Sequence, residues 1–347
     1  MTELADRLIQ HADALARDGR SPLYERLMRG AAEDPQLLEQ VFPEGAGTVG
    51  SVPALRLMAA LHHLVLTGRA PALAGHFPSA GGREGPEGAW DAARATIESR
   101  PEEVRRLAAR TVQTNEPGRC ATLYGGLLRL AERHRLPLRL LEIGASAGMT
   151  LVPDRYRYVV EGRTLGDPES PLVWEEPWVG LPVADPWATE RALSFSERRA
   201  SDIAPLDVST EEGAATALSY IWPDEPDRLA RVRLAIDIQR QHPVVPERAG
   251  AAGWIAARLS EPAEGVVTVV WESVMRQYMS DEERAALVGH VERAGARAGE
   301  SNPLAWIALD AEGGHLKDFQ LTCRAWPGGT REAWADSGYH GPPVTWR

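Results

Sequence analysis

Apolar residues recur along this chain with two different periods, and the change falls near residue 137. Before it the period is helical. Leu4, Leu8, Ile9, Ala12 and Leu15 mark a helix from Thr2 to Ala16. Ser21-Pro22 and Asp34-Pro35 each open another, since proline is pre-set for the first helical turn. Val52 to Thr67 is the most apolar helix, stopped by Gly68, and its His62 and His63 read as packed core histidines. Residues 77–89, rich in Gly and Pro, form a loop. Pro101 opens a helix to about Arg110, and Ala121 to Arg135 is a further one. Residues 1–136 show no strand signal and read as a helical cap, lid and substrate region.

From residue 137 onward, strands alternate with helices. Leu138–Ile143 is an apolar run of strand length. Residues 155–196 hold short β-like pieces among many prolines and read as an insertion. Ser201–Asp207 is a strand end and turn. Ser209 with Glu212 spells a capping box, and a long helix runs from Asp224 to Gln241. Pro243–Pro246 is a short strand and Gly250–Leu259 a helix. Gly265–Glu272 carries the strongest buried-strand signal. Ser280 caps a helix to about Ala294, and Pro303–Asp310 is another strand. Phe319–Trp326 and Pro343–Trp346 form an antiparallel hairpin at the sheet edge. The pattern is that of an α/β protein, with residues 137–347 as its sheet domain.

Composition narrows the function. The chain has 347 residues, 44% hydrophobic and 25% charged, as soluble domains do. No apolar run reaches the ~18 residues of a membrane span, and no leader peptide is recognisable. The expectation is a cytoplasmic protein, monomer or homodimer, acting on a small molecule. A net charge of -11 without a basic cluster argues against nucleic acid. Cys120 and Cys323 stand alone and read as reduced thiols. No His, Asp and Glu grouping has metal-ligand spacing, so no metal is expected. Trp174, Trp178, Trp187, Trp222 and Trp271 flank loops, where an indole packs or walls a pocket.

The chemistry centres on Glu142-Ile143-Gly144-Ala145-Ser146-Ala147-Gly148. A strand running into a turn of Gly, Ala and Ser lets backbone amides approach a ligand. A dinucleotide fingerprint would need glycines at 146 and 149, which are Ser146 and Met149. The spacing of an acid and alternate glycines resembles instead the cofactor loop of class I S-adenosylmethionine-dependent methyltransferases. Gly144-Ala145-Ser146-Ala147-Gly148 also spells a serine-hydrolase elbow, with Asp310 and His315 following in chain order. Pro153 argues against the regular helix that an elbow requires. Upstream, Thr111–Cys120 is dense in side chains that read polar ligands.

The run Glu142–Thr150 with Asp154-Arg155-Tyr156-Arg157-Tyr158 resembles an uncharacterised, mainly actinobacterial family known by a domain-of-unknown-function label (DUF2332). So do Val112–Cys120, the Trp222-Pro223 turn with its helix, and Ser280–Arg284. The family is similar to class I methyltransferases in its second half. The resemblance implies a Rossmann-like, mostly parallel sheet binding S-adenosylmethionine. It implies a cofactor site of Glu142, Gly144, Ala145, Ser146, Gly148 and Trp271, with Asp202 on the ribose. The family's third strand often ends Gly-Asp; here Glu247-Arg248-Ala249 leaves Glu247 as the displaced adenine-side acid. Glu272, Tyr156 and Tyr158 are the candidate catalytic groups, and Asn115, Glu116, Arg119 and Tyr278 the candidate substrate contacts. The family usually has Asn and then apolar residues after the glycine loop. Thr150 and Pro153 stand there in this chain, which shortens or kinks the following helix. The same cofactor could also react without methyl transfer, through its aminobutyl arm, and a non-catalytic Rossmann-like binding protein is the third reading.

Overall fold

The computed structural model describes residues 3–45, 47, 52–311 and 319–347. Strand β1 (Leu138–Ile143) is interior to the main sheet and almost wholly buried, as expected of a parallel strand covered on both faces. It pairs in parallel with β6 (Phe195–Asp202) on one side and β8 (Val267–Ser273) on the other. β7 (Glu247–Arg248) continues beyond β6, and β9 (Leu304–Ala311) beyond β8, both parallel. β10 (Phe319–Trp326), β11 (Thr330–Gly338) and β12 (Gly341–Trp346) then form an antiparallel meander. β5 (Trp178–Val179) closes that edge in parallel with β12. The order is β5-β12-β11-β10-β9-β8-β1-β6-β7, and five of its eight pairings are parallel.

The chain divides into two compact units. The sheet unit comprises residues 115–205 and 234–347. Leu141 and Ile143 bury one face of β1 against α12 (Ala251–Arg258) and α13 (Asp281–Gly295), with Trp254, Ile255, Leu287 and Trp306. Period-two alternation puts Glu142 on the opposite face. There Trp271 lies in register with Glu142, and Ile307 with Trp271. Helix α8 (Arg119–His134) covers that face, with Gly126 close to Ile307 and Trp334. A small sheet of β2 (Arg157–Val160), β3 (Arg163–Gly166) and β4 (Val173–Glu175) occupies the expected insertion.

The helical unit comprises residues 1–114 and 206–233. Its core joins α1 (Glu3–Asp18), α2 (Pro22–Ala32), α3 (Pro35–Val41), α4 (Pro53–Leu66), α5 (Pro71–Ala74), α6 (Ala89–Ser99) and α7 (Pro101–Ala108). Helix α10 (Glu211–Ser219) belongs to it as well; His62 on α4 faces the Ser219 carbonyl at 3.2 Å, and His63 faces Glu212 at 3.2 Å. Both histidines are core residues, as the sequence suggests. The division falls inside one continuous helix, α11 (Pro226–Gln241).

Some elements differ from expectation. The unit boundary lies at 114, not 136, because α8 packs on the sheet. The α10 cap is Thr210, whose hydroxyl accepts from Gly213 N–H, rather than Ser209, which turns to Asp207. Pro243–Pro246 is not a strand; the pairing residues are Glu247 and Arg248. β6 begins at Phe195, inside the assumed insertion, and β11 replaces an assumed polar link. α9 (Pro186–Glu190) also lies in the insertion. No described helix is long and apolar enough to cross a membrane.

Candidate functional site

The turn after β1 is held in left-handed backbone at Gly144 (φ 69°), Ser146 (φ 52°) and Gly148 (φ 74°). Its amides are largely taken up inside the protein. Gly144 and Ala145 N–H donate to the Ser201 carbonyl of β6, at 2.9 and 3.2 Å. Ser146 N–H donates to Asp202 Oδ2 at 2.8 Å, and Met149 N–H to Asn115 Oδ1 at 2.9 Å. The glycines are needed for the protein's own packing. A Cβ on Gly144 would stand 2.9 Å from Met275 Cβ, and one on Gly148 2.7 Å from the Val244 carbonyl oxygen. Beyond the turn, Met149–Leu151 and Pro153–Arg155 are two short 3-10 turns in place of a helix. That is the consequence expected of Pro153.

Glu142 is the electrostatic centre of the turn. It is fully buried, and burial pushes its carboxyl up to about 8. The Thr150 hydroxyl donates to Oε1, and the Arg119 charge also favours ionisation, while Asp202 opposes it. Oε2 accepts no hydrogen bond of ordinary geometry, and the Trp271 indole acts on the carboxyl as a donor that favours its charged form. A buried carboxyl in this state is predominantly a neutral acid at pH 7. Asp202, at the end of β6, accepts from Ser146 N–H and Ala204 N–H and thereby ties β6 to the turn.

Arg119 opens α8 and is 4% exposed. Its Nε donates to the Tyr339 carbonyl at 3.1 Å and its Nη1 to Ser273 Oγ at 3.4 Å. The Tyr339 ring lies 5.1 Å from the guanidinium carbon. Tyr278 is close enough to interact with both Arg119 and Tyr339. Glu142, Asn115, Arg119, Ser146, Asp202 and Tyr278 therefore gather at the carboxyl ends of β1, β6 and β8. In open α/β sheets those ends are the ligand side.

Other expected site residues are placed elsewhere. Tyr156 and Tyr158 are core residues, not bases: their hydroxyls donate to the carbonyls of Met149 at 2.6 Å and Pro153 at 2.8 Å. Burial raises both phenols well above their ordinary value, away from any role as a base. Trp271 is wholly buried beside Glu142. Glu272 points to the other face of the sheet, where Arg276 pairs with it and stacks over Trp306. Burial raises its pKa, and Arg276 opposes that shift. Glu247 is exposed and paired with Arg258 at 2.7 Å, so it is a surface ion pair. Glu116 is buried and accepts from Gly118 N–H. Asp310 shares the Glu272 cluster, and His315 lies outside the described residues.

Thr150 and Tyr339 belong to this site and escaped the sequence reading, whereas Ser273 stands at the end of β8 as the strand-end reading expects. Tyr339 sits in the β11–β12 turn, beyond a strand whose charged residues hid it. Ser273 follows Glu272 and takes the opposite face by strand alternation. The two cysteines are buried and free. Among the described residues, no group of three or more His, Cys, Asp or Glu is placed to hold a metal ion.

Fold and site together define a mixed α/β protein with a large, mostly parallel sheet and a polar cluster at its strand ends. The chain belongs to the family described as "Uncharacterized protein conserved in bacteria (DUF2332)", whose model matches residues 5–346. No curated protein and no solved structure matches it.

Proposed function

We propose that the sheet unit is a Rossmann-like cofactor domain and that the protein is an S-adenosylmethionine-dependent transferase, methylating a small molecule. The observation that carries this reading is the strand order β7-β6-β1-β8-β9. In chain order within this set it reads 3-2-1-4-5, the doubly wound arrangement. The order reverses between β1 and β8, and the glycine turn follows β1 at that reversal.

The residues fit the cofactor's groups. Glu142 Oε2 is a buried acceptor that no hydrogen bond of ordinary geometry satisfies, although the Trp271 indole acts on the carboxyl as a donor. An ammonium group there would supply that bond and return the carboxyl to its charged form. Asp202 stands at the end of the second strand in that order, where a carboxylate can accept from a ribose diol. When bound, the sulfonium supplies an already activated methyl group. The chain's part is then to orient and desolvate, through the turn, Asn115 and Arg119.

Calorimetry of the full chain with S-adenosylmethionine and S-adenosylhomocysteine tests this. Binding of either, weakened at least tenfold by Asp202→Asn, is the expected result. Titration near pH 7 in buffers of different ionisation enthalpy should also show proton release, which Glu142→Gln abolishes. Absence of heat with both ligands overturns the reading.

Ser146 favours a second reading. It is a buried serine in left-handed backbone whose Oγ has no partner, within an elbow spelling. A serine hydrolase needs a histidine at that oxygen, and among the described residues none bonds it. Labelling by a fluorophosphonate, lost in Ser146→Ala, would establish this chemistry.

A further inference from the structure

Arg119 occupies a costly position. Its guanidinium is buried, and a buried cation is ordinarily paired with an anion. Here its bonds go to neutral acceptors only, the Tyr339 carbonyl and the Ser273 hydroxyl. Nη2 donates to no described residue, and the Tyr339 ring supplies only a partial negative face. Glu142, the carboxyl whose charge interaction with Arg119 is felt, is held mainly in its neutral form. A second cost is independent of the first. Arg119 is the first residue of a sixteen-residue helix whose opening turn holds no acid, and the Glu116 carboxyl just before it accepts from the Gly118 N–H rather than from the guanidinium. A cation at the positive end of a helix dipole is unfavourable, by roughly 0.3–1 kcal/mol.

The position is nevertheless built with care. The Gly118 backbone lies against the His340 carbonyl, where a Cβ would come within 2.2 Å of oxygen. A Cβ on Gly341 would come equally close, 2.2 Å, to the Gly118 oxygen. These two contacts lock the start of α8 onto the β11–β12 turn and hold Tyr339 over Arg119. The half-exposed Tyr278 leaves this corner in contact with solvent.

We propose that Arg119 is the receptor for a ligand carboxylate, bound beside Ser273, Tyr278 and Tyr339 at the carboxyl end of β8. A carboxylate matches the planar fork of a guanidinium and supplies the charge that the protein withholds. Two sources carry this chemistry: the acceptor substrate, and the aminoacyl end of the cofactor. Only the choice between these sources rests on the transferase reading above.

The test compares wild type with Arg119→Gln and Arg119→Met. Both variants are expected to melt at or above wild type, because a buried uncompensated charge is removed. Benzoate is expected to raise the melting temperature of wild type and leave both variants unmoved, with benzyl alcohol as the neutral control. Variants that melt well below wild type, with benzoate shifting no protein or all three equally, would show a structural arginine and overturn the proposal. Calorimetry then locates the source. A tenfold or greater loss of S-adenosylmethionine affinity in Arg119→Gln, with methylthioadenosine unaffected, assigns the carboxylate to the cofactor. Unchanged affinity for both assigns it to the acceptor substrate. The benzoate arm involves no cofactor, so it stands even where S-adenosylmethionine gives no heat with wild type.

Discussion

Glu142 shows how one side chain links the turn to the stability of the sheet. Its carboxyl has an ordinary value of 4.5 and is pushed up to about 8 in the folded chain. Between those values the folded state holds a proton that the unfolded state has released. Stability therefore falls as pH rises through this window and levels off above it. Glu142→Gln mimics the neutral acid and keeps an acceptor for the Thr150 hydroxyl. The variant is expected to match wild type near pH 5 and to exceed it by about 1–3 kcal/mol near pH 8. Urea unfolding at the two pH values measures this; equal pH slopes in both proteins would show that Glu142 is charged in the fold. The sequence marks Glu142 as the acid at the end of an apolar strand. It does not reveal the protonation, because that depends on Trp271 lying alongside and α8 lying above. Tyr156 and Tyr158 fail the other way. Their spacing near the turn suggests chemistry, yet adjacent carbonyls take up both hydroxyls.

At the scale of elements, legibility followed burial. β1, β8 and β9 are covered on both faces, so their apolar runs are readable without neighbours. β6 is not readable at its start because Glu197, Arg198 and Arg199 are strand residues that pair sideways. Arg139 reaches Glu197 at 2.6 Å, and Asp154 reaches Arg198 at 2.8 Å. β11 was hidden for the same reason, since Arg331, Glu332 and Asp336 lie within it. Its turn nevertheless organises the site through Gly118. That glycine has ordinary helical backbone (φ -61°), so its requirement is one of space. Gly118→Ala places a methyl against a carbonyl oxygen that no rotamer can move. The expected loss is about 3 kcal/mol or more in urea unfolding. Gly253→Ala on α12, where a Cβ meets nothing within 4 Å, is the matched control. It should gain about 0.5–1 kcal/mol from helix propensity. A Gly118→Ala variant as stable as wild type would mean that α8 is not locked to the β11–β12 turn.

At the scale of the whole chain, the two units carry buried titratable groups with opposite demands. In the helical unit, His62 is buried and its ring lowered from 6.5 to about 3, chiefly by desolvation. Its Nε2 lies 2.8 Å from Ser79 Oγ, and Nδ1 faces the Ser219 carbonyl. The folded state thus keeps this histidine neutral where the unfolded state takes up a proton. The helical unit is stable above about 6.5 in this respect and loses stability as pH falls toward 3. The sheet unit, through Glu142, loses stability as pH rises from 4.5 to 8. Local opening energies can differ between such units within one chain. Hydrogen exchange, corrected for intrinsic rates, should therefore diverge. Between about pH 6.5 and pH 5, protection of α4 amides is expected to fall while that of β1 and β8 rises. Glu142→Gln should flatten the response of β1 and β8 and leave α4 unchanged. Parallel changes in both units would show that the chain opens as a single cooperative body, and that these two side chains do not set its separate pH limits.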